Sequence, residues 1–177
     1  MPLTVRPATL SDTAGLSQLA ARTFALACPP ELPRQAIDSF IAENLSPAAF
    51  GSYLTAPGHA VLAGLDTAGA IRAYALLVDG TSMDEACAGI LEGRPPMGIS
   101  KFYVDPGLHG AGAAGKLLEA IVERAHAEGA ASLWLATNVA NARARAFYVK
   151  NGFLERGHRV FTVGGTDNSD VVLERPL

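Results

Sequence analysis

The sequence predicts a mixed α/β fold, and three observations carry that prediction. The first fifty-odd residues show helical periodicity broken by prolines. The middle holds two apolar runs separated by a short turn. The second half alternates in a β-α-β-α-β order. The size agrees with one compact core: the chain has 177 residues, 49% of them apolar, so a single domain over 1–177 is expected. Only 18% of residues are charged and the formal net charge is −3, a composition opposite to that of disordered chains. No stretch approaches the roughly 18 uninterrupted apolar residues of a membrane-spanning helix. Acidic balance without basic clusters argues against a nucleic-acid partner. The N-terminus, Met1 to Pro7, lacks a basic segment followed by an apolar run, and Cys28 and Cys87 form no C-x-x-C pair. A cytoplasmic protein with no membrane partner is therefore expected.

Element by element, Thr4-Val5-Arg6 reads as a first strand. Ser11 reads as an N-cap with Asp12 in the first turn, and Leu16, Leu19, Ala20, Thr23 and Phe24 give helical spacing over 12–26. Cys28-Pro29-Pro30 stops this helix. A second runs from near Pro33 to Asn44, with Ala36, Ile37, Phe40 and Ile41 on one face, and Ser46-Pro47 opens a third. His59–Leu65 and Ile71–Val78 flank Asp66-Thr67-Ala68-Gly69 as a hairpin. Residues 80–95 read as an irregular arm, and Ile99–Val104 as the next strand. Leu117, Leu118, Ile121, Val122 and Ala125 mark an amphipathic helix closed by Gly129. Ser132–Ala136 is a short strand and Ala140–Asn151 a helix closed by Gly152. A final hairpin joins Phe153–Val163 to Val171–Glu174 across Gly164–Asn168.

Glycine is concentrated where the chemistry is expected. His109-Gly110-Ala111-Gly112-Ala113-Ala114-Gly115-Lys116 lies between a strand and a helix, where small residues let backbone approach an anion and the helix N-terminus favours it. Three phosphate-loop patterns fit. Gly110, Gly112 and Gly115 match the dinucleotide fingerprint G-x-G-x-x-G. Five residues separate the loop from its strand, however, and the acidic residue expected after the next strand is replaced by Ala136-Thr137-Asn138. Gly110 with Gly115-Lys116 matches a Walker A loop, but Leu117 stands where a magnesium-binding hydroxyl belongs. The third pattern is a pyrophosphate loop for coenzyme A.

On the helix 140–151, Asn141 and Tyr148 are seven residues apart. At about 100° per residue they return to within about 20° of one face, with Ala144 between them. A polar anchor, a small gap-making residue and a phenol in line suit a thioester arm, with its sulfur near the phenol.

The segment Val104-Asp105-Pro106-Gly107-Leu108-His109-Gly110-Ala111-Gly112-Ala113-Ala114-Gly115-Lys116-Leu117-Leu118 closely resembles the acetyl-CoA loop of the GCN5-related N-acetyltransferases (GNAT). Their Gln/Arg-x-x-Gly-x-Gly/Ala pattern falls on His109, Gly112 and Ala114. His109 departs from it. The segment Asn141–Phe153 resembles the same family's N-x-x-A-x-x-F-Y-x-x-x-G-F signature. The likeness runs from about residue 60 to the end. Thr23-Phe24, the stretch Ala36–Phe50 and Gly157…Phe161…Gly164…Asp170…Leu173 are similar to the bacterial spermidine/spermine N-acetyltransferase-like branch.

The resemblance implies the GNAT acyl-CoA N-acyltransferase fold: a central mixed, mostly antiparallel sheet of six to seven strands, splayed where the cofactor enters and flanked by helices. It implies acetyl-CoA as cofactor, held by Phe102, Val104, His109, Gly110, Ala111, Gly112, Ala113, Ala114, Gly115, Asn141, Ala144 and Tyr148, with no metal. It implies transfer to a small-molecule primary amine, a polyamine included, by direct attack, with Tyr148 as general acid to the departing thiolate. No covalent enzyme intermediate is needed, so Cys28 and Cys87 read as small core residues. Where the family often carries a strand carboxylate for the base, this chain has Gly98 and Ser100. Asp79, Asp84, Glu85, His59 and His158 are then unranked candidates. Asp38, Glu43, Asp84, Glu85 and Glu92 would line an acidic rim if the acceptor is cationic. A non-catalytic acyl-CoA-binding module is the competing reading, and a protein amine the competing acceptor. Homodimers are common among similar proteins, although no residue of this sequence requires one.

Overall fold

The computed structural model describes residues 2–163 and 165–177, without the side chains of Phe161, Val163 and Thr166. Met1 and Gly164, part of the expected N-terminal segment and final turn, lie outside the described residues. Seven strands are hydrogen-bonded in the order β1-β2-β3-β4-β5-β7-β6, and five α-helices accompany them. The chain divides into two compact units, residues 1–76, 101–121 and 163–165 in the first and the remainder in the second.

The first unit holds β1 (Thr4–Pro7), α1 (Thr13–Ala27), α2 (Arg34–Asn44), α3 (Pro47–Thr55), β2 (His59–Leu65) and the opening of β3 (Ile71–Asp79). It also holds the end of β4 (Pro96–Val104) and the first turns of α4 (Ala113–Ala127). β1 and β2 pair antiparallel from Thr4 with Leu65 to Pro7 with Leu62. The first helix starts differently from expectation. A 3₁₀ turn, Leu10–Asp12, comes first, and Thr9 and Asp12 cap it reciprocally, so Ser11 is not the cap. Ser46 caps α3 as read, its hydroxyl accepting from the Ala49 N–H at 3.1 Å with Pro47 at the first helical position. α1 buries Leu16, Leu19, Ala20, Thr23 and Phe24, and Phe24 stacks on Phe40 of α2 at 4.4 Å.

The second unit holds the other parts of β3, β4 and α4, together with β5 (Ser132–Asn138), α5 (Ala142–Lys150), β6 (Leu154–Val163) and β7 (Thr166–Pro176). β4 and β5 are parallel over Pro96–Gly98 with Ser132–Trp134, and β5 and β7 are antiparallel from Ser132 with Pro176 to Asn138 with Asp170. The last hairpin is tighter than expected, with β7 beginning at Thr166 rather than Val171. Val171, Val172 and Leu173 are completely buried, opposite Thr137, Ala136 and Leu135 of β5. The arm before β4 contains a 3₁₀ turn, Glu85–Gly89, and is fastened by the fully buried Glu174 of β7. That carboxylate accepts from the N–H groups of Glu92 and Gly93, from Ser132 Oγ at 2.8 Å and from Arg156 Nε at 3.0 Å.

Candidate active site

In the first unit, β4 delivers Phe102 and Val104 and then turns at Asp105 into the glycine loop. The turn is held from two sides. Asp105 accepts from the Gly107 N–H at 2.9 Å and pairs with Arg22 of α1 at 2.6 Å and Arg72 of β3 at 3.2 Å. Its own N–H donates to the Arg72 carbonyl at 2.7 Å, and Arg72 also reaches Asp66. Burial acts to raise the Asp105 carboxyl, but the Gly107 N–H and the Arg72 guanidinium outweigh it and hold it below the usual range. Neither Arg22 nor Arg72 lies in a sequence motif that marks it for this role. A polar cleft of about 700 Å³ lined by Asp12, Gln18, Arg22, Arg72 and Asp105 opens beside this clamp.

The loop itself has the geometry that only glycine provides. Gly110 and Gly112 adopt φ of +82° and +77°, and a Cβ at Gly110, Gly112 or Gly115 would meet nothing within 4 Å. The side of each glycine where a Cβ would stand is therefore open. The Gly112 carbonyl accepts the Lys116 N–H, which makes Gly112 the cap residue of α4. The N–H groups of Ala113, Ala114 and Gly115 then have no helical carbonyl ahead of them. Exposed N–H groups at a helix N-terminus beside small residues fit a pyrophosphate, so the residues present fit coenzyme A. His109 N–H donates to the Pro106 carbonyl, which ties the first loop position to the turn.

In the second unit, α5 begins at Ala142, two residues later than expected, and Asn141 is its N-cap. The Asn141 side-chain oxygen accepts the Ala144 N–H at 3.1 Å, so this polar group is engaged in capping. Tyr148 is buried at 6% exposure, its ring edge-on to Phe147 and Phe153 at 5.3 Å each. Gly152, at φ +87°, ends the helix.

The missing carboxylate has a structural counterpart. A Cβ at Gly98 would lie 2.4 Å from Met83 Cε and 3.2 Å from Trp134 Nε1. The arm's methionine and the indole, which donates to the Gly80 carbonyl at 2.9 Å, fill the space a side chain would need. Ser100 is exposed. Asp84 pairs with Arg159 and caps the Glu85–Gly89 turn, Glu92 pairs with Arg156, and Asp38 pairs with Arg34 within α2. These three acids are engaged with the protein's own cations. His59 stacks on Tyr53, with Nδ1 3.1 Å from the Pro57 carbonyl. Cys87 is fully buried with Leu91, Trp134 and Val172, and burial pushes both thiols up, away from the thiolate form a nucleophile needs. Among the described residues no cluster of three or more His, Cys, Asp or Glu could hold a metal ion, and no helix is long and apolar enough to cross a membrane.

Comparison with known proteins identifies the family and the fold. The family model described as the acetyltransferase (GNAT) family matches residues 30–153. An uncharacterized N-acetyltransferase of Mycobacterium tuberculosis is 39% identical over 168 residues, covering 95% of this chain and 99% of that protein, and one of Mycobacterium bovis matches equally. Among solved structures, the PaiA N-acetyltransferase of Thermoplasma acidophilum in complex with coenzyme A superimposes with a TM-score of 0.79 at 16% identity over the whole of both chains. The spermidine/spermine N-acetyltransferase SpeG of Vibrio cholerae does so with 0.66 at 15% identity, covering 99% of this chain and 95% of that one. The chain thus belongs to the acetyltransferase (GNAT) family and is an acetyl-CoA-dependent N-acetyltransferase.

Proposed function

We propose that the chain acetylates the primary amine of a small molecule by direct attack, with Tyr148 as the general acid. The observation that carries this reading is the open glycine loop at the start of α4, whose N–H groups point to a pyrophosphate-bearing acyl donor. Gly110, Ala111, Gly112, Ala113, Ala114 and Gly115 would hold the pyrophosphate, His109 the loop's entry, and Phe102 and Val104 the pantetheine along β4. Asn141, Ala144 and Tyr148 would line the thioester end. Bound there, acetyl-CoA supplies the activated acetyl group.

The chain's own groups then have three tasks. β4 pairs parallel with β5 over Pro96–Gly98, and backbone N–H groups of β4 beyond that pairing would orient and polarise the carbonyl. The phenol of Tyr148, kept from bulk water by Phe147 and Phe153, gives its proton to the leaving sulfur. The proton of the attacking amine leaves through solvent, because neither Gly98 nor Ser100 offers a carboxylate. Raised thiols at Cys28 and Cys87 favour direct attack over a covalent relay.

Met83 and Trp134 occupy the space of a side chain at Gly98, which leaves this strand position without a base. Release of free thiol from acetyl-CoA with a panel of small amines tests the reading. Amine-dependent release, reduced about a hundredfold or more in Tyr148→Phe with acetyl-CoA affinity retained, supports it. Tight acetyl-CoA binding without release on any small amine, or unchanged release in Tyr148→Phe, contradicts it.

A further inference from the structure

Arg72, at the start of β3, holds two carboxylates at once. Its Nε donates to Asp105 Oδ2 at 3.2 Å and its Nη1 to Asp66 Oδ2 at 3.3 Å. Its backbone carbonyl accepts the Asp105 N–H at 2.7 Å, so main chain and side chain grip the same residue. Both acids are largely buried, with side-chain exposures of 8% for Asp66 and 13% for Asp105, and Arg72 itself is 28% exposed. Ion pairs held this far from bulk water are screened less than those on the surface. Arg22 also reaches Asp105 Oδ2, but it is 53% exposed and makes no second ion pair among the described residues. All of these residues belong to the first unit, as does the glycine loop.

Each acid divides its oxygens between a turn and the guanidinium. Asp66 Oδ1 accepts the N–H groups of Ala68 and Ala70 at 3.0 Å each, which fixes the turn between β2 and β3. Asp105 Oδ1 accepts the Gly107 N–H at 2.9 Å. Backbone bonds carry on from there. The Leu108 N–H donates to the Asp105 carbonyl, the His109 N–H to the Pro106 carbonyl and the Ala111 N–H to the Leu108 carbonyl, at 2.9, 3.2 and 3.1 Å. Gly112, the cap of α4, follows directly. One connected run of bonds thus leads from the β2–β3 turn through Asp66, Arg72 and Asp105 into the glycine loop. Gly107 permits it: a Cβ there would stand 3.2 Å from Asp105 Oδ1 and 3.4 Å from Arg72 Nη2. A guanidinium suits the central place because its donors diverge in one rigid plane, whereas an ammonium is a single point of charge.

We propose that Arg72 is a positioning residue for the acyl donor: anchored by Asp66, it holds one oxygen of Asp105 so that the other fixes Gly107 and the loop in the conformation that receives the pyrophosphate. Arg72 acts through Asp105 and not by touching the donor. A loop ordered beforehand loses less conformational freedom on binding, so the effect falls on donor affinity. This inference rests on the glycine loop being the pyrophosphate site.

Titration calorimetry with two donors is the test. Acetyl-CoA carries the pyrophosphate, whereas S-acetylpantetheine keeps the thioester arm and lacks it. In Arg72→Gln the Kd for acetyl-CoA should rise about tenfold, while that for S-acetylpantetheine stays at the wild-type value. Asp66→Asn keeps an oxygen for the Ala68 and Ala70 N–H groups and loses only its charge toward Arg72. It should give the same pattern at about threefold, and it carries the test if Arg72→Gln fails to fold by circular dichroism. Arg72→Lys, able to reach one acid only, should recover part of the affinity lost in Arg72→Gln. Equal weakening toward both donors would mean a general structural role and overturn the proposal. Wild-type affinity for acetyl-CoA in the folded variants would overturn it too. A wild-type chain that binds acetyl-CoA no more tightly than S-acetylpantetheine would overturn the pyrophosphate site itself, and the positioning role with it.

Discussion

At Lys101 burial works against stability at neutral pH. Its folded pKa, lowered by burial to about 8, lies below the ordinary lysine value near 10.5. The unfolded chain therefore binds more protons between those values, and stability rises as pH climbs from about 8 toward 10.5. Replacing the ammonium by Lys101→Met removes the desolvated charge. The melting temperature of that variant at pH 7 should rise, and its gain over wild type should shrink above pH 9, as followed by circular dichroism. Gly98 makes the converse point about residues. Restoring a carboxylate with Gly98→Glu drives a side chain into Met83 and Trp134, so the variant should lose stability by about 1–3 kcal/mol without gaining turnover. A stable Gly98→Glu variant with raised turnover would show that Met83 yields easily. Nothing in the sequence forecast this, because Met83 lies fifteen positions upstream and reaches Gly98 only through the folded arm.

Among the elements, the turn before the glycine loop is the most exposed to test. Asp105 is clamped by Arg22 and Arg72, which lie 83 and 33 positions away in the chain. Asp105→Ala should loosen the loop and weaken acetyl-CoA binding about tenfold by calorimetry, with a smaller change in kcat at saturating donor. The local signals of these elements were legible: Ser46-Pro47 caps α3, Gly129 and Gly152 end their helices at positive φ, and Gly110 and Gly112 of the loop take the positive φ that favours glycine. What was not legible arose from competition between caps and from distance. Thr9 and Asp12 out-compete Ser11 because a 3₁₀ turn precedes α1, and Asn141 caps α5 instead of lying on its face. The arginine clamp has no local signature at all.

For the molecule as a whole, the order of strands and helices followed from periodicity and turns, while the strand pairing and the buried charges did not. β3, β4 and α4 each run from one compact unit into the other, so we expect unfolding in a single cooperative transition, with equal calorimetric and van't Hoff enthalpies; two resolved transitions would count against a single domain. Acid should end that cooperativity. The Asp12 carboxyl is drawn down to about 2 by its hydrogen bonds from Arg6. Burial acts to raise Glu174, but its bonds from Glu92, Gly93, Ser132 and Arg156 hold it below the usual range. Both groups are lowered on folding, so their contribution is complete above the ordinary carboxylate range and is lost as pH falls through the folded values. Asp170, raised by burial, runs the other way and softens the slope. Glu174→Ala strands two backbone N–H groups, Ser132 and Arg156, and should cost about 3–5 kcal/mol by chemical denaturation at pH 7.

Acetyl transfer by this chain depends on the glycine loop binding the acyl donor. Titration calorimetry of the wild-type chain and of Gly112→Val with acetyl-CoA tests this directly, since valine is strained at a φ of +77° and crowds the loop. We expect micromolar-range binding by the wild type, abolished in a Gly112→Val variant that retains its circular dichroism spectrum. No binding by the wild type, or unchanged binding by a folded Gly112→Val, would contradict it.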